Sequence, residues 1–246
     1  MMICFYSKGY AQLVNIESQR IQSDSIRLVL MGEINYATQN VDDHKFSIFN
    51  TAITSQIKSK SFKNYFLFIA TTEIAKTDQE DLNNAAFFHV RFNKKINNYL
   101  KFEALSQFQT NKLMGIDARY LVGFGLRDKL LAKNNLKIYA GSLYIFEIEK
   151  TTIEANKASQ ISRLSFYLST NFQLPNHIGE FSSVSYYQPN LHQFSDFRLS
   201  NQSSLSFRLG PKLAFKNNFN IYYDAFPPYE IAKLNWNFSN GISITF

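Results

Sequence analysis

The last thirteen residues, Leu234–Phe246, constrain the fold more than any other stretch. Leu234, Trp236, Phe238, Ile242, Ile244 and Phe246 take alternate positions, and Asn240 is the one break on that face. Between them lie Asn235, Asn237, Ser239, Gly241, Ser243 and Thr245. A period of two sends successive side chains to opposite faces of a β-strand. One face is therefore apolar and ends in an aromatic at the final position. The other is small, polar and uncharged. Such a strand suits a barrel wall with lipid outside and a polar lumen inside.

Composition narrows the alternatives. The 246 residues contain no run of ~18 apolar positions, so no transmembrane helix is available. Aromatics reach 16%, with 24 Phe and 14 Tyr, which favours a membrane barrel over a soluble β-sandwich or lipocalin-like barrel. Cys4 is the only cysteine, which excludes an intrachain disulfide and a Cys-based metal site. The net charge of +7 is spread along strands and turns. A nucleic-acid binder would gather it in one patch with a recognition motif. Glycines are too sparse for a phosphate loop, and no cofactor motif is evident.

The N-terminus reads as the tail of a secretory signal. Apolar Met2-Ile3-Cys4-Phe5-Tyr6 precedes Ser7-Lys8-Gly9, and Tyr10-Ala11 offers a small residue before a cut. The expected organisation is a signal remnant over 1–11, a periplasmic segment over 12–25, and a barrel over 26–246.

About twelve strand-like segments follow. They run Ile26–Thr38, Lys45–Ile57, Asn64–Ala75, Asn83–Asn93, Tyr99–Gln109, Gly115–Arg127, Leu136–Glu149, Gln160–Phe172, Ile178–Gln188, Asp196–Ala214, Phe219–Ala225 and Ile231–Phe246. The expected fold is all-β, a transmembrane antiparallel up-and-down barrel. Even strand parity puts both termini on one side, periplasmic in this class. The breaks on that side are Lys-rich: Lys58-Ser59-Lys60, Lys94–Asn98, Lys133-Asn134-Asn135 and Lys216-Asn217-Asn218. Asn suits the left-handed backbone of tight turns.

Charge sorts the faces. A charge at the lipid midplane costs ~2–4 kcal/mol, so charged faces must turn inward. In the fifth strand Leu100, Phe102, Ala104 and Phe108 oppose Lys101, Glu103, Gln107 and Gln109. In the sixth, Ile116, Ala118, Tyr120, Val122, Phe124 and Leu126 oppose Asp117, Arg119, Gly123, Gly125 and Arg127. Arg163 and Arg208 take the polar faces of the eighth and tenth strands, and Arg91 that of the fourth. The second and third strands are ambiguous, with apolar residues on both faces. Arg91, Glu103, Asp117, Arg119, Arg127, Arg163 and Arg208 form the expected lumen cluster, either a structural ion-pair set or a selectivity ring. Glu103 is expected opposite or diagonal to Arg119. Trp236, Phe238, Gly241, Ile242, Ile244 and Phe246 form the expected assembly signal, read by barrel-assembly machinery.

Two stretches carry a family resemblance. One runs from Glu103-Ala104-Leu105 through Gly115-Ile116-Asp117-Ala118-Arg119 to Gly123-Phe124-Gly125-Leu126. The other comprises Tyr222-Tyr223-Asp224, Pro227-Pro228 and the terminal strand. With the barrel spacing they resemble the family called domain of unknown function 481, often labelled salt-induced outer-membrane proteins. Ala11 to Asp24 resembles versions from Bacteroidetes-type bacteria. Two positions depart: Ala118 stands where the family has an aromatic, and Gln39-Asn40 replaces a frequent Gly-Asn. The resemblance implies a signal-bearing barrel in the outer membrane of a Gram-negative cell, and it supplies no catalytic residues.

The expected role is structural or envelope-associated, in a monomer surrounded by outer-membrane lipid. A narrow passive channel for small polar solutes is the alternative. A membrane-embedded lipid hydrolase is the third reading. It would need a Ser–His pair at the outer rim, for which only His44 and His192 are placed. His89 lies inside a strand on the face of Arg91 and reads as a structural residue. No metal-ligand spacing accompanies it.

Overall fold

A computed structural model describes residues 27–41, 44–77, 81–111, 116–151, 158–227 and 233–246. The expected signal remnant and periplasmic segment lie outside the described residues. Twelve strands follow one another: β1 (Leu28–Val41), β2 (His44–Lys58), β3 (Asn64–Thr77), β4 (Asp81–Lys95), β5 (Leu100–Asn111), β6 (Ile116–Ala132), β7 (Leu136–Thr151), β8 (Ala158–Gln173), β9 (Gly179–Pro189), β10 (Phe197–Arg208), β11 (Leu213–Asp224) and β12 (Leu234–Thr245). Each pairs antiparallel with its sequence neighbours, and β12 returns to β1 to close the barrel. The transmembrane up-and-down barrel of about twelve strands is the observed fold.

The start of β1 and the end of β12 lie at the same mouth, here called the terminal end, with the turns after β2, β4, β6, β8 and β10. Local chemistry explains how tight these turns are. Asn97 Oδ1 accepts the N–H groups of Tyr99 and Leu100, each at 2.8 Å. Pro175–His177 forms a 3₁₀ turn in which Asn176 and His177 both have φ of 55°. One expected turn is wrong. Lys216-Asn217-Asn218 lies within β11, and the chain reverses over residues 209–212, where Gly210-Pro211 cannot extend a strand ladder. The tenth strand therefore ends at Arg208 rather than Ala214.

The outer wall is apolar around the whole circumference. Ile34, Ile53, Phe88, Val122, Phe124, Leu168, Trp236 and Phe238 are all exposed. Soluble monomers do not present apolar bands of that extent. The six apolar residues of the closing strand all face outward, from Leu234 to Phe246. Aromatic rings tie neighbouring strands along the same face. Phe88, Phe108 and Tyr120 pack in sequence, as do Phe166, Tyr187, Phe197 and Tyr223.

The inner wall explains why β3 is apolar on both faces. Phe66 and Phe68 meet lipid, while Leu67 and Ile69 pack inside against Phe87. A second apolar group, Leu143, Ile145, Tyr167 and Val184, packs with Leu105, Leu121 and Tyr186. The lumen thus holds a core of its own beside its polar side chains.

The closing seam pairs Met31 with Thr245 through to Tyr36 with Asn240. Phe246 extends it by exchanging backbone hydrogen bonds with Leu30 at 2.8 and 3.3 Å. Asn35 lies directly opposite Gly241, and a Cβ on Gly241 would overlap its side chain and the Ile34 carbonyl. Glycine is needed here for close approach. Gly241→Val should therefore lower the folded, heat-modifiable fraction of refolded protein far more than Ser243→Val on the same inner face. Gel mobility of matched preparations checks this.

Candidate functional site

The lumen carries the chemistry, and strand alternation builds it. Arg198 on β10 is its most connected member. Its Nε donates to Asp224 Oδ2 at 2.9 Å, and its Nη1 donates to Glu147 at 2.8 and 2.9 Å. Its Nη2 reaches Glu149 Oε2 at 3.4 Å. Glu147 and Glu149 stand two apart on β7, so they share the inner face. The Arg198 bridges therefore span the lumen past β8 and β9. Arg119 on β6 pairs with Glu149, and lies 3.9 Å from Glu147. Tyr222 donates to Asp224 at 3.1 Å. Arg163 on β8, buried on the inner face, contacts Asp196 of the turn after β9 at 3.1 Å.

A second group lies nearer mid-height. Arg91 meets Glu103 at 3.4 Å. The Tyr167 hydroxyl donates to Glu103 at 2.7 Å and accepts from Arg127 at 3.1 Å. Arg127 also lies over the Tyr139 ring, 4.1 Å from its centroid, a cation–π placement. Gly141 makes this possible, because any Cβ there would fall into the Tyr167 ring. Arg91 Nε donates to His89 Nε2, and the His89 Nδ1 faces Gln107 Oε1, both at 3.3 Å. Those partners require a neutral ring with its proton on Nδ1. His89 is therefore placed as a structural member of the network.

Toward the terminal end, Lys216 pairs with Glu33 at 2.7 Å across β12. Asn218 and Asn35 complete the shell of that carboxylate, at 3.2 and 3.0 Å. Beyond them the lumen opens into a cavity of ≈ 530 Å³, whereas the cavity among the arginines measures ≈ 100 Å³.

The expected lumen residues fall as follows. Arg91, Glu103, Arg119, Arg127 and Arg163 are buried inside. Arg208 is on the inner face but exposed at the terminal mouth, where it lines the larger cavity. Asp117 is not in the lumen. A register shift between Ile116 and Ala118 breaks the alternation, leaving Asp117 exposed and Ile116 buried. Glu103 and Arg119 are not neighbours either. Glu103 faces Gly125, and Arg119 faces Gln109 and Glu149, because β5 continues to Asn111 before the chain turns. Glu33, Glu147, Glu149, Arg198, Lys216 and Asp224 were missed. Glu147 and Glu149, alternating with Phe146 and Ile148, carried a readable signal. Lys216 was hidden by its assignment to a turn.

The geometry does not form a ring of one sign. Among the described residues, buried Arg91, Arg119, Arg127, Arg163, Arg198 and Lys216 share the interior with buried Glu33, Glu73, Glu103, Glu147, Glu149 and Asp224, six of each sign. Removing one member of a buried pair strands its partner's charge and costs ~3–5 kcal/mol. Arg198→Met leaves three carboxylates without this partner, so its unfolding free energy should fall by about that much. Equilibrium urea unfolding in lipid vesicles checks it, with exposed Lys233→Met as the unaffected control.

Residues 46–239 match the family described as "Protein of unknown function, DUF481". Among solved structures, the chain is similar to the NanC porin, with a TM-score of 0.52 at 10% identity, covering 88% of this chain and 98% of that one. It is similar also to the translocator domain of the autotransporter NalP from Neisseria meningitidis, with a TM-score of 0.52 at 8% identity, covering 94% and 91%. At such identities the likeness is one of fold. No curated protein gives a significant match. The family match spans most of the barrel, from β2 to β12, and the chain belongs to the DUF481 family.

Proposed function

We propose that the protein is a monomeric, integral outer-membrane β-barrel with a structural, envelope-associated role, its lumen closed by buried side chains. One observation carries the reading: the cross-lumen lattice centred on Arg198, in which Arg198 and Arg119 are held by Glu147, Glu149 and Asp224. A selectivity ring would leave one sign in excess. Paired charges and the apolar group around Leu143 instead fill the space a solute would need. The termini are assigned to the periplasm, since barrels of this class keep their short turns there. The hydrolase reading rests on His192, exposed in the turn after β9, and on His44, whose side chain lies outside the described residues.

The narrow-channel reading has one supporting observation, the ≈ 530 Å³ cavity at the terminal end. Planar bilayers separate the two. The closed reading expects no resolvable conductance steps from the wild type, and steps from the triple variant Glu147→Ala, Glu149→Ala, Arg198→Ala. Stable wild-type steps would transfer the assignment to the channel.

The closing strand is proposed as the segment that barrel-assembly machinery reads. Trp236, Phe238, Ile242, Ile244 and Phe246 present an apolar stripe, broken at Asn240, to an outside partner, and Gly241 permits the seam behind it. Deleting residues 241–246 removes five of the residues paired across the seam together with Phe246, and lipid cannot replace those hydrogen bonds. The deletion should abolish heat-modifiable protein in the outer-membrane fraction. Phe246→Ser should lower its yield less severely.

A further inference from the structure

The larger cavity has a composition that the closed-barrel reading does not use. Three cationic side chains from three strands line it: Lys137 of β7, Arg208 of β10 and Lys216 of β11. His177 joins them from the turn before β9, brought to the mouth by the left-handed backbone of that turn. The acid on the cavity wall is Glu180, which lies in the field of all three cations and is hydrogen-bonded by Asn171. Glu33 offsets Lys216 from beneath. A positive excess remains even after both carboxylates are counted.

The rest of the wall is suited to a polyol. Ser182, Ser204, Ser206, Ser243 and Thr245 bring hydroxyls, and Asn134 and Asn171 bring amides. Apolar contributions come from Met31 and Ala214. That excludes a lipid chain as a fitting occupant, since burying one requires apolar walls. The volume falls within the ~300–1,000 Å³ usual for small-molecule sites. Lysines at the neighbouring turns, Lys58, Lys60, Lys94, Lys95, Lys133 and Lys212, surround the mouth and would raise the local concentration of an anion.

We infer that this cavity is a binding site for a small anionic sugar, with Lys137 and Arg208 holding the phosphate or carboxylate and the serine rows holding ring hydroxyls. The site opens at the terminal end, so it is compatible with a barrel closed farther along the lumen. It goes beyond the structural reading and does not depend on conductance.

The test uses the full chain refolded in detergent and isothermal titration calorimetry at low salt. Glucose 6-phosphate and glucuronate are the probes; glucose and inorganic phosphate are the comparators. The two charged sugars should bind, weakening as salt rises, and glucose should not. Lys137→Gln with Arg208→Gln should weaken binding at least about tenfold, the effect of losing charge-assisted hydrogen bonds. Ser206→Glu keeps every cation but adds a charge on the same wall, and should weaken binding comparably. Folding of each variant is confirmed by heat-modifiable mobility. The inference is overturned if glucose binds as well as glucose 6-phosphate, if inorganic phosphate binds as tightly as the sugars, or if neither charged sugar binds. It is also overturned if both folded variants keep wild-type affinity. Bilayer conductance of the same preparations reports on closure separately.

Discussion

Everything in this structure depends on closing a sheet in a medium without water. Each unpaired N–H or C=O in hydrocarbon costs several kcal/mol, so a β-structure can span a membrane only as a barrel with no edge. Here the edge disappears where β1 meets β12, over Met31–Tyr36 and Asn240–Thr245. This seam joins residues more than 200 positions apart in sequence, so it is the pairing with the largest loop-closure cost. It is also where side-chain bulk is least tolerated, since Asn35 must lie over Gly241 to reach Glu33, Asn50 and Asn218. Closure and the polar network of the terminal half are built from the same residues.

Inside the wall, charge and apolar packing divide the lumen. Burying an ion pair is costly unless geometry and extra hydrogen bonds complete both partners. Arginine meets that requirement better than lysine because its fork offers five donors in a plane. Arg198 uses its fork on three carboxylates, and Arg163 uses its own on Asp196 and two backbone carbonyls. Tyr167 does comparable work with a hydroxyl, linking Glu103 to Arg127 while its ring rests on Gly141 and joins the apolar group. One residue thereby belongs to both halves of the interior.

Much of this was legible from alternation alone. Period-two patterning in β6, β8 and β12 identified strands, sidedness and strand number, because lipid penalises a charge on the wrong face. The inward arginines followed from the same rule. What alternation cannot supply is register beyond the turns. The bulge after Ile116 turned Asp117 out of the lumen, and no residue type there announces it. The Lys216-Asn217-Asn218 stretch has turn composition but strand position, because Gly210-Pro211 had already reversed the chain. Pairing across the lumen, as between Glu147 and Arg198, joins strands that are not neighbours. A pattern read along one strand carries no information about it. The cavity at the terminal end was invisible for the same reason: its three cations come from three strands.

The lysines at the terminal end are informative because they do so little for the fold. An exposed charge in a turn contributes roughly 0–1 kcal/mol to stability, less in salt. Lys58, Lys60, Lys63, Lys94, Lys95, Lys133 and Lys212 nevertheless all stand at this mouth, where Asp128 and Glu180 are nearby acids. The described turn lysines are thus gathered at one mouth. Pairwise contacts do not explain such a distribution. A summed field does, since its effect is on what approaches the mouth and at what rate, over distances of about a Debye length. The paired interior holds the barrel together, and the lysines give its mouth a positive field.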